Sequence, residues 1–151
     1  MSAFEVVRRA HVAADPARVH DLINDFHRWR AWSPWEDVDP ALERDYTGSD
    51  SGVGAHYAWS GNRKAGRGSM EIIESNPARV GIDLRFEKPF KADNKIGFEL
   101  VPADGGTDVT WRMTGEQKGL SGLFGKLFNV DKLVGGDFEK GLARLKTAAE
   151  S

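Results

Sequence analysis

The period of the apolar residues changes once along this chain, and that change limits what it can fold into. Between residues 42 and 116 apolar side chains recur at every second position. Tyr57 and Trp59 alternate with His56, Ala58 and Ser60, and Met70 and Ile72 with Ser69 and Glu71. Val80, Ile82, Leu84 and Phe86 form the clearest run, followed by Ile96, Phe98 and Leu100, then Val109, Trp111 and Met113. A period of two puts one face of a strand in the interior and the other in water. Gly61-Asn62, Asn76-Pro77, Lys88-Pro89 and Asp104-Gly105-Gly106 punctuate the runs as turns. Short turns between consecutive strands predict an antiparallel meander.

The flanks differ. Residues 4–12 read as a half-buried or edge strand. Asp15-Pro16 is a helix start, with an Asp cap and proline at the first helical position. Val19, Leu22, Ile23 and Phe26 then mark a helical stripe. Residues 25–32 predict a second short helix or a tight turn, ended by Ser33-Pro34. After Ser121 the period becomes helical, with a stripe of Leu123, Phe124, Leu127, Val134, Phe138, Leu142 and Leu145. Gly135-Gly136 interrupts it, either as a kink, as a close approach of another backbone, or as a break between helices over 120–128 and 131–149. Strand, two short helices, about six strands and a long helix make an α+β fold. No repeat, linker or low-complexity tract divides residues 1–151, so one domain is expected.

Composition removes several function classes. There is no cysteine, which excludes disulfides, thiolate nucleophiles and Cys-based metal centres. A formal net charge of −2 gives no electrostatic footprint for nucleic acid or an acidic membrane. No apolar stretch is long enough for a membrane span, and residues 1–9 lack the apolar core of a signal peptide. A cytoplasmic location is the resulting expectation.

A sheet of about seven strands twists, and glycine within strands lets it bend. Gly54, Gly66, Gly68, Gly81 and Gly97 occupy strand or strand-edge positions in this reading. The apolar face of such a curved sheet needs a cover, and the long amphipathic helix at the C-terminus supplies it. A helix laid across a strongly curved sheet leaves an apolar pocket with a few polar groups, the usual form of a small-molecule site. By alternation Tyr57, Trp59, Met70, Ile72, Leu84, Phe86, Phe98, Trp111 and Met113 point inward, with Phe124, Phe128 and Phe138 facing them from the helix.

Several segments carry a family resemblance through their order and spacing. They are Trp32-Ser33-Pro34-Trp35-Glu36, the run from Gly54 through His56, Tyr57 and Trp59 to Gly61, and Gly66-Arg67-Gly68-Ser69-Met70. Lys88-Pro89-Phe90, Gly106-Thr107-Asp108-Val109-Thr110-Trp111 and Asp137-Phe138-Glu139-Lys140-Gly141-Leu142 follow. Together they resemble the polyketide cyclase/dehydrase-like branch of the START-like (SRPBCC, Bet v 1-type) superfamily, over residues 4–150. The resemblance implies a helix-grip fold with a deep hydrophobic cavity. It also implies that Trp32 and Trp35 lie near one cavity mouth, as an entry gate or as a plug. The superfamily holds lipid carriers, hormone receptors, quinone-binding proteins, aromatases, cyclases and co-chaperone-like domains, so fold alone does not select an activity.

The preferred reading is a binding protein for a small hydrophobic or amphipathic molecule such as a lipid, quinone or polyketide, with no cofactor and no metal. His11, His20, His27 and His56 lack metal-ligand spacing and read as surface residues. An enzyme of the cyclase, aromatase or dehydratase type needs an acid or base in the pocket. Tyr57 to donate a proton, Asn94 to orient a ligand carbonyl and Glu36 at the mouth are the candidates, without a recognisable pair among them. A protein-interaction module, using Trp32, Trp35 and residues 120–128, is the third reading. Oligomeric state is not readable from the sequence.

Overall fold

A computed structural model describes residues 3–36, 38–88, 91–116 and 130–151. The elements are β1 (Ala3–Val12), α1 (Pro16–Ile23), a 3₁₀ helix (Phe26–Ala31), β2 (Glu43–Gly48), β3 (Ala55–Ser60), β4 (Arg67–Asn76), β5 (Arg79–Lys88), β6 (Ala92–Ala103), β7 (Gly106–Glu116) and α2 (Val130–Glu150). The strands form one seven-stranded sheet in the order β1-β7-β6-β5-β4-β3-β2. Every neighbouring pair is antiparallel. The meander read from the alternation is therefore β2 to β7, and β1 is added beside β7. The two short helices carry the chain from one edge of the sheet to the other. This is a curved antiparallel sheet gripping a C-terminal helix.

Local chemistry accounts for the ends and bends. Asp15 takes the extended cap conformation before Pro16, but its side chain makes no cap bond. Asp25 instead caps the 3₁₀ helix, accepting from the His27 amide. Asp104 (φ 45) and Gly105 (φ 75) form the β6–β7 hairpin turn, a left-handed pair whose twist matches the strands it joins. Gly54 (φ 94) and Gly66 (φ 67) lie at strand edges, each immediately before the first residue of β3 or β4. Gly81 and Gly97 are in strands on the convex side, where Glu74 and the Arg79 guanidinium lie over them.

α2 runs as one helix through Gly135-Gly136, over the span expected for the longer helix of the break reading, and the expected helix over 120–128 lies outside the described residues. The close approach at Gly135 is to a side chain, since a Cβ there would meet the Arg8 guanidinium at 2.2 Å. Phe138, Leu142, Leu145 and Ala149 of α2 are buried against the concave face, with Val134 partly buried. Spacings of four, three and four keep them on one side of the helix. α1 closes one end of the sheet with Val19, Leu22 and Ile23, and Phe26, Trp29 and Trp32 follow them inward. Among the described residues no helix is long and apolar enough to cross a membrane.

Candidate functional site

The registers place concave-face side chains in rows that run across the sheet. One row reads Arg8, Trp111, Phe98 and Val80. The next is wholly apolar, with Val6, Met113, Ile96, Ile82 and Ile72. The third runs Phe4, Gly115, then Asn94, Leu84, Met70, Tyr57 and Tyr46. The last holds Ala92, Phe86, Gly68, Trp59 and Arg44. The rows lead away from the end closed by α1 toward Lys88, where β5 ends, and Ala92, where β6 begins.

The first rows are filled. Trp111 stacks on Phe138 at 4.1 Å and 8° and on Phe98 at 4.8 Å. Trp32 meets Trp111 edge-on at 5.5 Å, and Trp29 lies 4.6 Å from Trp32. Edge-to-face and offset-stacked arrangements at these distances are favourable ring contacts. The polar atoms of the cluster are mostly used. Trp29 Nε1 donates to Ile23 O at 2.8 Å and Trp32 Nε1 to Leu22 O at 2.9 Å. Gly141 lets α2 press on this cluster, because a Cβ there would stand 2.8 Å from Trp111 Cζ3.

Accessibility returns toward the far rows. Ile72, Ile82, Phe98 and Trp111 are 0% exposed, whereas Leu84 is 4%, Met70 and Met113 are 5% and Asn94 is 7%. Phe86, Trp59, Phe4 and Tyr46 are only partly buried. The side chains also taper. Along β7 they run Trp111, Met113, Gly115, and along β6 Phe98, Ile96, Asn94. Gly68 takes no side chain: a Cβ would lie 2.3 Å from Arg85 O and 2.7 Å from Trp59 Cη2.

Two polar features border this half. Glu36 accepts from Arg44 Nε at 2.8 Å and from the Tyr57 hydroxyl at 3.1 Å. Arg44 Nη2 also donates to the Glu36 backbone oxygen at 2.9 Å. Burial raises the Tyr57 pKa, and the charge and hydrogen bond of Glu36 raise it further. Burial and the Glu36 charge also raise that of Tyr46. Burial works against the Arg44 charge, but the hydrogen bond and charge of Glu36 outweigh it and raise the pKa. The second feature is Asn94, whose Oδ1 is buried without a hydrogen-bond partner. Trp111 Nε1 and the Tyr46 hydroxyl are likewise unpartnered.

The sequence-derived residues therefore separate into groups. Tyr57, Trp59, Met70, Leu84, Phe86 and Asn94 come together in the tapering half, and Met113 borders it from the second row. Ile72, Phe98, Trp111, Phe138 and Trp32 lie in the filled part, so Trp32 sits within the plug. Trp35 is half-buried beside it, donating from Nε1 to Asp137 Oδ2 at 3.2 Å and lying 5.6 Å from Trp111. Phe124 and Phe128 lie outside the described residues. The hydroxyl of Tyr57 and the indole N–H of Trp59 are occupied by Glu36 and by Ala65 O at 2.9 Å.

The Glu36–Tyr57 pair was not legible from the sequence. Arg44 and Gly115 were missed altogether, while Gly68 was read as a strand glycine, as it is, without its place against Trp59. Position 44 shares the parity of Leu42 and Tyr46, an inward Arg that only parity could have flagged. Each histidine has a neighbour: His11 with Asp108, His20 with Ser75, His27 with Asp25 and His56 with Thr47. Among the described residues no three His, Cys, Asp or Glu side chains converge on a metal position.

This architecture is the helix-grip fold of Bet v 1-like proteins. Protein CV1439 from Chromobacterium violaceum shares it at TM-score 0.70 and 16% identity, over 97% of each chain. TTHA0849 from Thermus thermophilus shares it at TM-score 0.64 and 21% identity, over 98% of this chain and all (100%) of that one. Ara h 8.0201 does so at TM-score 0.65 and 14% identity, over 98% of each chain. No curated protein matches the sequence. The chain belongs to the family described as polyketide cyclase/dehydrase and lipid transport, which it matches over residues 3–150.

Proposed function

We propose that this chain binds a small hydrophobic or amphipathic molecule, of lipid, quinone or polyketide type, against the tapering half of the concave face. The observation that carries this reading is the exposure gradient. Ile72, Ile82, Phe98 and Trp111 have no exposure, Leu84, Met70 and Asn94 have 4%, 5% and 7%, and Phe86 and Trp59 of the last row are only partly buried. A fully buried aromatic cluster makes a rigid floor, and the small side chains beyond it leave room for a guest.

Binding without turnover fits the chemistry of that row better than catalysis does. Its titratable side chains among the described residues are Tyr57 and Tyr46, and both pKa values are raised. Tyr57 stays protonated at neutral pH, and its proton is directed to Glu36. Neither phenol is tuned toward neutrality as a general acid or base requires.

The test is a thermal-shift and native mass-spectrometry screen with fatty acids, quinones and aromatic polyketides, run on wild type and Leu84→Trp. Wild type should gain melting temperature and carry a one-to-one adduct. Leu84→Trp, which adds bulk at a buried position of the row, should show neither while its far-ultraviolet circular dichroism stays that of the folded protein. A wild type that takes up none of the three classes refutes the reading, and so does a Leu84→Trp variant that binds as wild type does. Turnover of a polyketide substrate that Tyr57→Phe abolishes would favour the cyclase, aromatase or dehydratase alternative.

A further inference from the structure

Charge is divided between the two ends of the sheet. The charged residues of the hairpin connections at the end closed by α1 are acids, Asp50 between β2 and β3 and Asp104 between β6 and β7. Those at the opposite end are bases. Arg63 and Lys64 lie between β3 and β4, and Lys91 lies between β5 and β6, close to Lys88 at the end of β5. All four bases are exposed, and none makes an ion pair among the described residues. The acids near them are mostly engaged. Glu87 faces Arg67 at 3.7 Å, and Asp93 faces Arg85 at 3.7 Å. Asp39 is buried and accepts from the amides of Ala41 and Asn62, and Glu36 is held by Arg44. Glu43, exposed on the edge strand β2, remains. The formal charge of −2 for the whole chain conceals this separation.

The basic end is held in place. Gly61 N donates to Gly66 O at 2.9 Å and Gly66 N to Asn62 O at 2.8 Å. The Asn62 side chain accepts from the Lys64 and Ala65 amides at 3.0 Å, and Trp59 Nε1 donates to Ala65 O. Arg67, which follows this turn, stands opposite Lys88 in the β4–β5 register. The two basic connections are therefore neighbouring hairpin ends, roughly 10 Å apart across two strand spacings. Trp59 and Phe86 of the last row, both partly buried, lie at the same end with ring centroids 5.8 Å apart. Bases set outside half-buried aromatic rings are what a surface needs to meet a bilayer at the level of its headgroups.

We propose that this end of the molecule docks on an anionic lipid surface through Arg63, Lys64, Lys88 and Lys91. The bases are spread over two turns rather than gathered about one point, which suits a plane of headgroups better than a single small anion. The same surface repels Asp50 and Asp104 at the other end, so the charge separation also sets the orientation of docking. The docking stands without any ligand in the tapering half. Where both hold, it turns the last row toward the acyl region from which an apolar molecule is drawn.

The test is co-sedimentation with vesicles of phosphatidylcholine alone and of phosphatidylcholine with one quarter phosphatidylglycerol. Wild type should sediment with the anionic vesicles only, and less as salt rises from about 0.05 M to about 0.3 M. Each base removed should weaken partitioning about fivefold, so Arg63→Gln with Lys64→Gln, or Lys88→Gln with Lys91→Gln, should each lose roughly twenty-five-fold. Arg9→Gln, which removes an exposed base of β1, should bind as wild type does. Sedimentation with neither vesicle, or equally with both, would overturn the proposal. So would rim variants that bind as wild type does, an Arg9→Gln loss as large as theirs, or a double-stranded oligonucleotide bound as tightly as the anionic vesicles at equal phosphate. None of these results bears on the ligand screen, which is run without vesicles.

Discussion

Replacing Glu36 by alanine tests the border of the site. The Glu36 and Arg44 side chains are 11% and 17% exposed. The substitution removes two bonds to a charged acceptor, from Arg44 Nε at 2.8 Å and from the Tyr57 hydroxyl at 3.1 Å. Arg44 keeps the backbone oxygens of residue 36 at 2.9 Å and of Leu42 at 3.5 Å. It is therefore not stranded, and the cost falls at the lower end of the roughly 3–5 kcal/mol for breaking a buried pair. Two charge-assisted bonds at about 1.5 kcal/mol each give the same figure, about 3 kcal/mol. For a chain of this size that lowers the melting temperature by roughly 6–12 °C. Urea unfolding followed by tryptophan fluorescence measures the difference. A double-mutant cycle with Tyr57→Phe should return a coupling of about 1.5 kcal/mol. A loss below about 1 kcal/mol, or additive single and double variants, would refute the description of the Glu36 carboxylate as the hub joining Arg44 and Tyr57.

Phe138→Ala should cost about 3–5 kcal/mol in urea unfolding, because the ring is fully buried and lies face-on to Trp111; a loss under about 1 kcal/mol would contradict that packing. The chain's two tyrosines both have raised pKa values against an ordinary 10.0, so at pH 10 the folded protein should show less phenolate absorbance than the urea-unfolded chain. Raised folded values contribute stability that is complete below pH 10 and is lost as pH climbs past it, so alkaline unfolding should begin there and phenolate should appear with it. Gly68→Ala should destabilise by about 2 kcal/mol or more, since its Cβ would collide with Arg85 O and the Trp59 indole. Gly115→Ala should destabilise wild type but cost about 1 kcal/mol less in an Asn94→Ala background, where the new methyl enters space the carboxamide left; additivity would show that residues 94 and 115 do not share a niche.

What could be read from the sequence follows from what is periodic. On β5, β6 and β7 the inward set was fixed by parity, because a slip of one residue would turn Ile82, Leu84, Ile96, Phe98, Trp111 and Met113 out to water. Asn94 followed as an inward residue from the same parity. That its oxygen lacks a partner needed the register with Gly115, which parity does not give. The Glu36–Tyr57 bond joins residues 21 apart through an irregular segment, and no spacing rule reaches across such a loop. The place of β1 beside β7 was equally hidden, since it depends on where the two short helices deliver the chain. Gly54 and Gly66 were placed at strands or their edges, but composition shows a permissive residue and not the sign of its φ.

The position of the site follows from which elements close which end. α1 and the 3₁₀ helix come straight after β1, so their apolar stripe and Trp29 and Trp32 are delivered to the end where β1 finishes. α2 brings Phe138 onto the same aromatic cluster. Meanwhile β7 loses bulk at every second residue, from Trp111 through Met113 to Gly115, and β6 does so from Phe98 through Ile96 to Asn94. Two adjacent strands that taper in the same direction leave the third row to be covered by groups from beyond β6 and β7.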